Sequence, residues 1–318
     1  MIISSTVGQS RRNPLAMPRQ KSGQQPSSQA QRLILPDQRL LGYTEFGAAH
    51  GRPVVYFHDA GSSRLEAGLF AASARKTGVR LIAFERPGIG LSTPNRGGGA
   101  AAVARDVIAL SDYLGVEKID LLALGSGGVH ALTLAKYYPE RVGAQAFIGG
   151  VSGSVFNEAP GRTVLTRCWS GFVPPMIRLA VHLKHRLFPE DAEQNIHRLL
   201  ARLSFTDRKL LSDPGFTCSL IRDQQEALRQ GPEGVAGDFA LAYRELDFSL
   251  TEIEVPSFIW QGAADRLSQS TNCQFMASRL PNSQLYRVAH AGHFFFLNRM
   301  DQVFATLTAG VWANSLAA

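Results

Sequence analysis

Short apolar runs alternate with helical patterns between residues 53 and 149, and this alternation constrains the fold more than any other feature of the sequence. The apolar runs are short, as buried strands are, and they lie at residues 53–57, 79–84, 118–123 and 145–149. Residues 103–114 instead repeat apolar side chains at the spacing of a helix with one apolar face. Strands that alternate with helices predict an α/β fold with a mostly parallel sheet and helices on both faces.

The alternation stops after residue 150 and returns near residue 250. The intervening residues have helical patterns, and strand-like runs resume at residues 255–260 and 284–288. A helical insertion of this kind is expected over the carboxyl ends of the strands, where open α/β folds bind ligands. We therefore predict a disordered basic leader over residues 1–36, a first part of the core over 37–150, a helical lid over 151–249 and a second part of the core over 250–318.

The net charge of +7 does not predict a nucleic-acid partner, because the excess is concentrated in the leader. Five basic residues precede the first acidic residue, Asp37, and the rest of the chain is close to neutral. No basic stripe with interleaved aromatic residues follows. No apolar run approaches the roughly 18 residues of a membrane span. We expect a cytoplasmic protein that binds neither nucleic acid nor the membrane interior, with mitochondrial targeting by the leader as a minor alternative.

The sequence also predicts no metal site and no cofactor. Cys168, Cys218 and Cys273 are far apart and lack CxxC spacing, so they are read as buried apolar side chains. His182 and His185 lack the spacing and the glutamate of a zinc-binding helix. The glycines around Gly125 do not form a nucleotide-binding motif. The expected partner is a small-molecule substrate, and the sequence does not reveal the oligomeric state.

Four motifs occur in a fixed order and resemble those of the α/β-hydrolase family. Residues 57–64 (FHDAGSSR) resemble its HG loop, and residues 85–92 (ERPGIGLS) resemble its D-x-P-G-x-G-x-S loop. Residues 262–265 (GAAD) and 291–293 (AGH) resemble its acid and histidine motifs. The resemblance implies an α/β-hydrolase fold in which Asp265 orients a catalytic His293.

The turn that should carry the nucleophile departs from the family pattern G-x-S-x-G-G. Residues 123–128 read ALGSGG, which puts Gly125 in the slot of the serine. Ser126 follows one place later and would reach that slot only after a one-residue slip, which would turn Asp120 and its neighbours to the opposite face of the sheet. Without a slip, the Ser126 N–H is expected to contribute to an oxyanion site, with a helix N-cap as the alternative role of the side chain.

A second departure lies in the HG loop, where Asp59 replaces the glycine. A carboxylate near an oxyanion site would repel a developing negative charge, and the alternative is a turn residue whose side chain faces solvent. The predicted substrate or oxyanion region comprises His58, Asp59, Ala60, Gly125, Ser126 and Gly127.

Three functional hypotheses follow from these motifs. In the first, His293 and Asp265 perform acid–base chemistry on a small apolar metabolite without a serine nucleophile, as a lyase, cyclase or isomerase would. In the second, Ser126 is the nucleophile of a hydrolase that acts on an ester, thioester or lactone. In the third, the chain is a pseudoenzyme that binds a ligand without catalysis. The opening residues also resemble fungal hydrolases that tailor natural products, which implies an apolar substrate under a lid that contains Trp169, Phe172, Val173, Met176 and Phe188.

Overall fold

The computed structural model describes residues 29–95, 97–151, 173–187, 192–242, 244, 246–268 and 270–309. Eight strands form one sheet in the order β1-β2-β4-β3-β5-β6-β7-β8. The strands are β1 (Gln31–Ile34), β2 (Leu40–Gly47), β3 (Arg52–Phe57), β4 (Val79–Phe84), β5 (Ile119–Leu124), β6 (Val142–Ile148), β7 (Ser257–Gly262) and β8 (Ser283–Val288). Strands β3 to β8 pair in parallel, and β2 pairs antiparallel with both β1 and β4. The predicted α/β-hydrolase architecture with a mostly parallel sheet is confirmed.

Helices cover both faces of the sheet. The helices of the core are α1 (Ala71–Lys76), α2 (Ala100–Tyr113), α3 (Gly128–Tyr137), α9 (Ser270–Arg279) and α10 (Phe296–Ala309). Apolar residues of α2, α3 and α9 pack in one buried cluster, and those of α1 and α10 pack in another. The two clusters lie on opposite sides of the sheet, because consecutive strand residues point to opposite faces.

Strand β5 shows why the register of the central strands is fixed. Leu121 and Ala123 belong to the first cluster, whereas Leu122 and Leu124 belong to the second. All four side chains are at most 2 % exposed. A slip by one residue would exchange the two sets and mismatch both cores, so the turn after Leu124 has a defined position relative to the sheet.

The predicted leader is too long at its C-terminal end. Gln31–Ile34, which were assigned to it, form β1 and pair with Leu40–Tyr43 of β2. Leu33 and Leu35 are buried in the core, so apolar burial compensates the entropy lost on ordering this segment. Residues 1–28 lie outside the described residues.

Between β6 and β7 the described chain contains five α-helices. The helices are α4 (Val173–Leu187), α5 (Ala192–Arg202), α6 (Phe205–Leu210), α7 (Pro214–Ala227) and α8 (Pro232–Ala242). Within the described chain, no helix combines the length and the apolar character that crossing a membrane requires. Of the three cysteines, Cys273 is buried, Cys218 is exposed rather than buried, and Cys168 lies outside the described residues.

A buried ion pair joins the inserted helices to the core. Asp238 of α8 accepts two hydrogen bonds of 2.6 Å from the Arg86 guanidinium, and both side chains are at most 5 % exposed. Burial acts against the charge of Asp238, but the Arg86 charge and the hydrogen bonds from His130 and Arg86 together outweigh it and lower the pKa of Asp238 below its ordinary value. Removal of one partner would leave an uncompensated charge in the interior.

We expect Asp238→Ala to lower the free energy of unfolding by roughly 3 to 5 kcal/mol, the usual cost of stranding one member of a buried pair. Chemical denaturation followed by circular dichroism measures the change. The matched control is Asp301→Ala, which removes an exposed partner of Lys76 and should change the stability little. Equal effects of the two variants would contradict the role assigned to the buried pair.

Candidate functional site

The acid and the histidine predicted from the sequence meet at the carboxyl end of the sheet. Asp265 follows β7, and His293 begins the short turn of 3₁₀ helix that precedes α10. The Nδ1 atom of His293 lies 2.9 Å from Oδ2 of Asp265, and donates to it because a carboxylate can only accept. Backbone N–H groups of Leu267 and Ser268 donate to the other oxygen, Oδ1, and hold the carboxylate in place.

The surroundings of His293 favour its protonated form. Burial acts against the charge, but the hydrogen bond and the negative charge of Asp265, with smaller contributions from Asp59 and Asp207, raise the pKa of the imidazole above its ordinary value. The Nε2 atom has no hydrogen-bond partner among the described residues, and it is not completely buried. The ring therefore presents an open nitrogen to the site and can move a proton there.

The turn after β5 places Gly125 and Ser126 at the same end of the sheet. Gly125 has φ +51°, a left-handed conformation that side chains other than glycine rarely adopt. A short 3₁₀ turn, Gly125–Gly127, leads into α3. Gly127 approaches the backbone of the HG loop so closely that a Cβ there would lie 2.6 Å from the His58 carbonyl oxygen. The two loops are thus in direct contact.

The side chain of Ser126 is not an N-cap. Its Oγ donates a hydrogen bond of 2.7 Å to Oδ1 of Asp59 and accepts one of 2.7 Å from the Ala60 N–H. Helix α3 begins after Gly127 without a side-chain cap. The alternative prediction of a capping role was wrong because a neighbouring loop supplies a stronger, charged acceptor.

Asp59 turns into the site and not towards solvent, so the reading of Asp59 as a solvent-facing turn residue was wrong. Its Oδ1 atom accepts hydrogen bonds of 2.8 Å from the backbone N–H groups of Ala60 and Ser126, in addition to the bond from Ser126 Oγ. In α/β-hydrolase folds an oxyanion is bound by one N–H of the loop after the third strand and one N–H after the nucleophile turn. Here the N–H groups of Ala60 and Ser126, which the sequence placed in the predicted oxyanion region, bind the chain's own carboxylate.

The Asp59 carboxylate also fills the space beside Gly125. A Cβ added to Gly125 would lie 2.5 Å from Oδ1, 2.7 Å from Cγ and 2.8 Å from Oδ2 of Asp59. Real side chains do not approach so closely, so a larger residue at position 125 and Asp59 in this conformation exclude one another.

His58 does not face the site, although the sequence placed it there. The residue is fully buried, its Nδ1 lies 2.8 Å from the Asp59 carbonyl oxygen, and its Nε2 has no partner within the part of the chain that the structure describes. Burial, assisted by the Arg86 charge, lowers the pKa of His58 to about 3. The ring is therefore neutral at ordinary pH and serves as part of the support behind the loop.

Three aspartates on the helices between β6 and β7 hold the HG loop and the turn that carries His293. Asp238 orients Arg86, whose guanidinium donates to the carbonyl oxygens of His58 and Asp59 at 2.6 and 3.1 Å. Asp207 of α6 accepts from the N–H groups of His293 and Phe294 at 3.0 and 2.8 Å. The third aspartate is Asp223.

Asp223 of α7 fixes the base of the HG loop. It accepts hydrogen bonds from Ser62 and Ser63 at 2.5 to 2.9 Å, and one of 3.0 Å from the Glu66 N–H. Burial, together with the mutual repulsion of the two carboxyl groups, raises the pKa of Glu66 above its ordinary value. Glu66 in turn accepts from the Tyr56 hydroxyl at 2.6 Å. The carboxylate of Asp223 thus holds the loop that carries Asp59 through hydrogen bonds to its base.

Sequence reasoning missed Arg86, Asp207, Asp223, Asp238 and Glu66 as parts of the site. The only available signal was their position: Arg86 lies in the second loop motif, and the three aspartates lie on helices where most aspartates face solvent. Among the lid residues predicted to be apolar contacts, Met176 is 61 % exposed and does not form a buried wall. Trp169, Phe172 and Phe188 lie outside the described residues, and the side chain of Val173 is not described. Within the described ranges, no group of side chains is arranged to hold a metal ion.

We expect nuclear magnetic resonance titration to place the pKa of His293 above 6.5, the ordinary value for the ring. Asp265→Asn should lower it, because the variant removes the negative partner, and His293→Gln assigns the resonance. Since folding raises this pKa, the protonated ring stabilises the fold below pH ~6.5, and the contribution disappears as pH rises through the folded-state value. A His293 pKa at or below 6.5 would contradict this electrostatic description.

We expect Gly125→Ser to destabilise the fold by roughly 1 to 3 kcal/mol, the usual cost of inserting atoms where none fit. Asp59→Gly in the same chain should restore part of that stability. A double-mutant cycle of unfolding free energies should therefore show a coupling of about 1 kcal/mol or more between the two positions. Strictly additive effects would mean that the Asp59 side chain moves away freely.

Comparison with known proteins agrees with the motifs and the fold. A profile described as "Alpha/beta hydrolase family" matches residues 48–306. A 2-hydroxy-6-oxononadienedioate/2-hydroxy-6-oxononatrienedioate hydrolase of Comamonas testosteroni is 25% identical over 287 residues, which cover 84% of this chain and 90% of the relative. A 2-hydroxy-6-oxo-6-phenylhexa-2,4-dienoate hydrolase of Burkholderia cepacia is 25% identical over 288 residues, with the same coverage of 84% and 90%.

Solved structures show the same fold. A thermophilic esterase of Thermogutta terrifontis superposes with a TM-score of 0.67 at 21% identity, covering 91% of this chain and 100% of the esterase. An enol-lactonase of Burkholderia xenovorans superposes with a TM-score of 0.66 at 18% identity, covering 88% and 99%. Together with the profile match over most of the chain, these findings show that the protein belongs to the α/β-hydrolase family.

Proposed function

We propose that the protein is a small-molecule hydrolase in which His293, oriented by Asp265, moves protons and in which no serine ester forms. One observation carries the proposal: Ser126 Oγ is bound to Asp59 and to the Ala60 N–H, whereas the Nε2 atom of His293 is open to the site. A general base must reach the proton that it removes. The serine is committed elsewhere, and the histidine is free to act on water or on the substrate.

Gly125 takes the serine's slot in this proposal. Its left-handed backbone and its position directly after β5 support that assignment, since the family places its nucleophile on such a turn between a strand and a helix. The names of the curated relatives favour hydrolysis over the elimination, cyclisation or isomerisation that the sequence alone also allowed. They give no support for a fungal tailoring role, which stays a prediction together with the cytoplasmic location and the apolar substrate.

We further propose that the inserted helices act as a lid. Asp207, Asp223 and Asp238 each bind a loop of the site, so opening of the helices and the shape of the site are coupled. This arrangement would give a substrate access only when these contacts change.

The first test is the reaction of the purified protein with a fluorophosphonate, followed by intact-mass measurement. We expect no adduct on the folded protein, because Ser126 is not activated by His293. An adduct that is lost in both Ser126→Ala and His293→Ala would establish Ser126 as the nucleophile and would support the alternative of a serine hydrolase.

The second test is turnover of a panel of small substrates: p-nitrophenyl acetate, dihydrocoumarin, 2-hydroxy-6-oxo-6-phenylhexa-2,4-dienoate and styrene oxide. We expect hydrolysis of at least one, and a loss of about 10²- to 10⁴-fold in kcat for His293→Gln, the range that general acid–base catalysis supplies. Ser126→Ala is the matched control and should lose far less. Activity that survives in His293→Gln would refute the proposal, and a folded protein inactive on the whole panel would favour a ligand-binding pseudoenzyme.

A further inference from the structure

The carboxylate of Asp59 has two oxygen atoms in different environments. Oδ1 is held by the N–H groups of Ala60 and Ser126 and by the Ser126 hydroxyl. Oδ2 has no hydrogen-bond partner among the described residues, and it keeps some accessible surface because it is not among the fully buried atoms without a partner. A carboxylate held through one oxygen presents the other as a nucleophile of fixed orientation.

The Asp59 carboxylate lies directly beside the point where a side chain on residue 125 would begin. Its Oδ2 atom lies 2.8 Å from where a Cβ of that residue would be. In the family, a nucleophile projects from this turn towards the catalytic histidine. The negative charge of Asp59 also contributes to the raised pKa of His293, after the larger contributions of Asp265. Asp59 thus supplies a reactive group from the adjoining loop at the place where Gly125 has none.

The same geometry argues against an acyl substrate. Attack on a carbonyl carbon generates an oxyanion that needs hydrogen-bond donors. The donors that the fold offers, the N–H groups of Ala60 and Ser126, already bind a carboxylate oxygen, and a second negative charge beside it would be repelled. Attack on a saturated carbon generates no oxyanion at that carbon and has no such requirement.

We infer that Asp59 is the nucleophile of this enzyme and that its substrate is an epoxide, whose saturated ring carbon is attacked by Oδ2. The inference deepens the proposed function and rests on His293 as the acid–base group. Ring opening needs a proton donor for the departing oxygen, and the imidazole of His293, held by Asp265, supplies one in its protonated form.

In the first step a bond forms between Asp59 Oδ2 and the ring carbon, and the ring C–O bond breaks. The oxygen leaves with the bonding electron pair and takes a proton from His293, which leaves a hydroxyalkyl ester of Asp59 and a neutral imidazole. The ester carbonyl oxygen is Oδ1, and it remains on the N–H groups of Ala60 and Ser126.

In the second step a water molecule attacks Cγ of the ester and gives its proton to His293 Nε2. The negative charge develops on Oδ1, where the two N–H groups stabilise it. Collapse of this intermediate breaks the bond between Cγ and Oδ2, and the departing alkoxide takes the proton of the new carboxylic acid. The products are a diol, the Asp59 carboxylate and the protonated histidine, so the enzyme returns to its initial state.

The trapping experiment uses His293→Gln, which can form the ester but cannot activate water. The probe is 1-bromohexane, because bromide leaves without a proton and the missing acid is then not needed. We expect a mass increase of one hexyl group, mapped by peptide sequencing to Asp59. The double variant Asp59→Asn/His293→Gln, checked for folding by circular dichroism, should show none. An adduct on Ser126, an adduct that persists in the double variant, or no adduct on the folded protein would overturn the inference.

The second experiment follows a single turnover of styrene oxide by excess wild-type enzyme in ¹⁸O-labelled water. We expect unlabelled diol in the first turnover, because its new oxygen comes from Asp59, and ¹⁸O retained in the peptide that contains Asp59. Labelled diol in the first turnover would mean direct attack by water and would refute the nucleophilic role.

Comparison of the two single variants distinguishes a failure of the proposed function from a failure of the nucleophilic role of Asp59. Loss of styrene oxide turnover in His293→Gln but not in Asp59→Asn would leave the proposed function intact and reject Asp59 as the nucleophile. Unchanged turnover in both variants would reject the proposed function itself. Loss in both, with the ester trapped on Asp59, is the expected result.

Discussion

The hydrogen bonds from Ala60 and Ser126 to a single oxygen of Asp59 are the interaction on which the candidate site depends. Two backbone N–H groups from different loops converge on one point, and such donors cost nothing to reorganise when negative charge arrives. An internal carboxylate at this point engages the Ser126 hydroxyl, whereas Nε2 of His293 has no hydrogen-bond partner among the described residues. Asp59, Gly125 and Ser126 therefore form one connected arrangement.

Tertiary contacts from the inserted helices make that arrangement possible. Burying a carboxylate is unfavourable unless it is paired or hydrogen-bonded. Asp238 meets this requirement with Arg86, Asp223 with the hydroxyl and N–H groups of Ser62 and Ser63, and Asp207 with the N–H groups at His293. Each contact spans more than 80 residues of sequence, so these hydrogen bonds form only when the helices between β6 and β7 pack on the core.

The electrostatic balance of the site follows from the same contacts. Asp265 and Asp59 both act on His293 and favour its protonated form, whereas His58, behind the loop, is kept neutral by burial and by Arg86. The pKa of His293 is thus raised and the pKa of His58 is lowered. The difference arises from the charge of their neighbours, because both rings are buried.

The sequence by itself predicted the alternation of strands and helices from β3 onward and the Asp265–His293 pair, whereas it assigned β1 to the leader. Those features depend on local periodicity and on short motifs whose residues are close along the chain. The sequence also predicted Gly125 in the slot of the family's serine, and that assignment stays a prediction.

Only the tertiary structure decided the direction of the Asp59 side chain, the partners of Ser126 and the roles of Arg86 and the three buried aspartates. The side chain of an aspartate in a turn can face solvent or the interior, because the local turn conformation does not fix its direction. The choice is made by donors that arrive from distant parts of the chain, and no local pattern in the sequence encodes their position. The chemistry of this site therefore depends on contacts that exist only after the inserted helices and the core have come together.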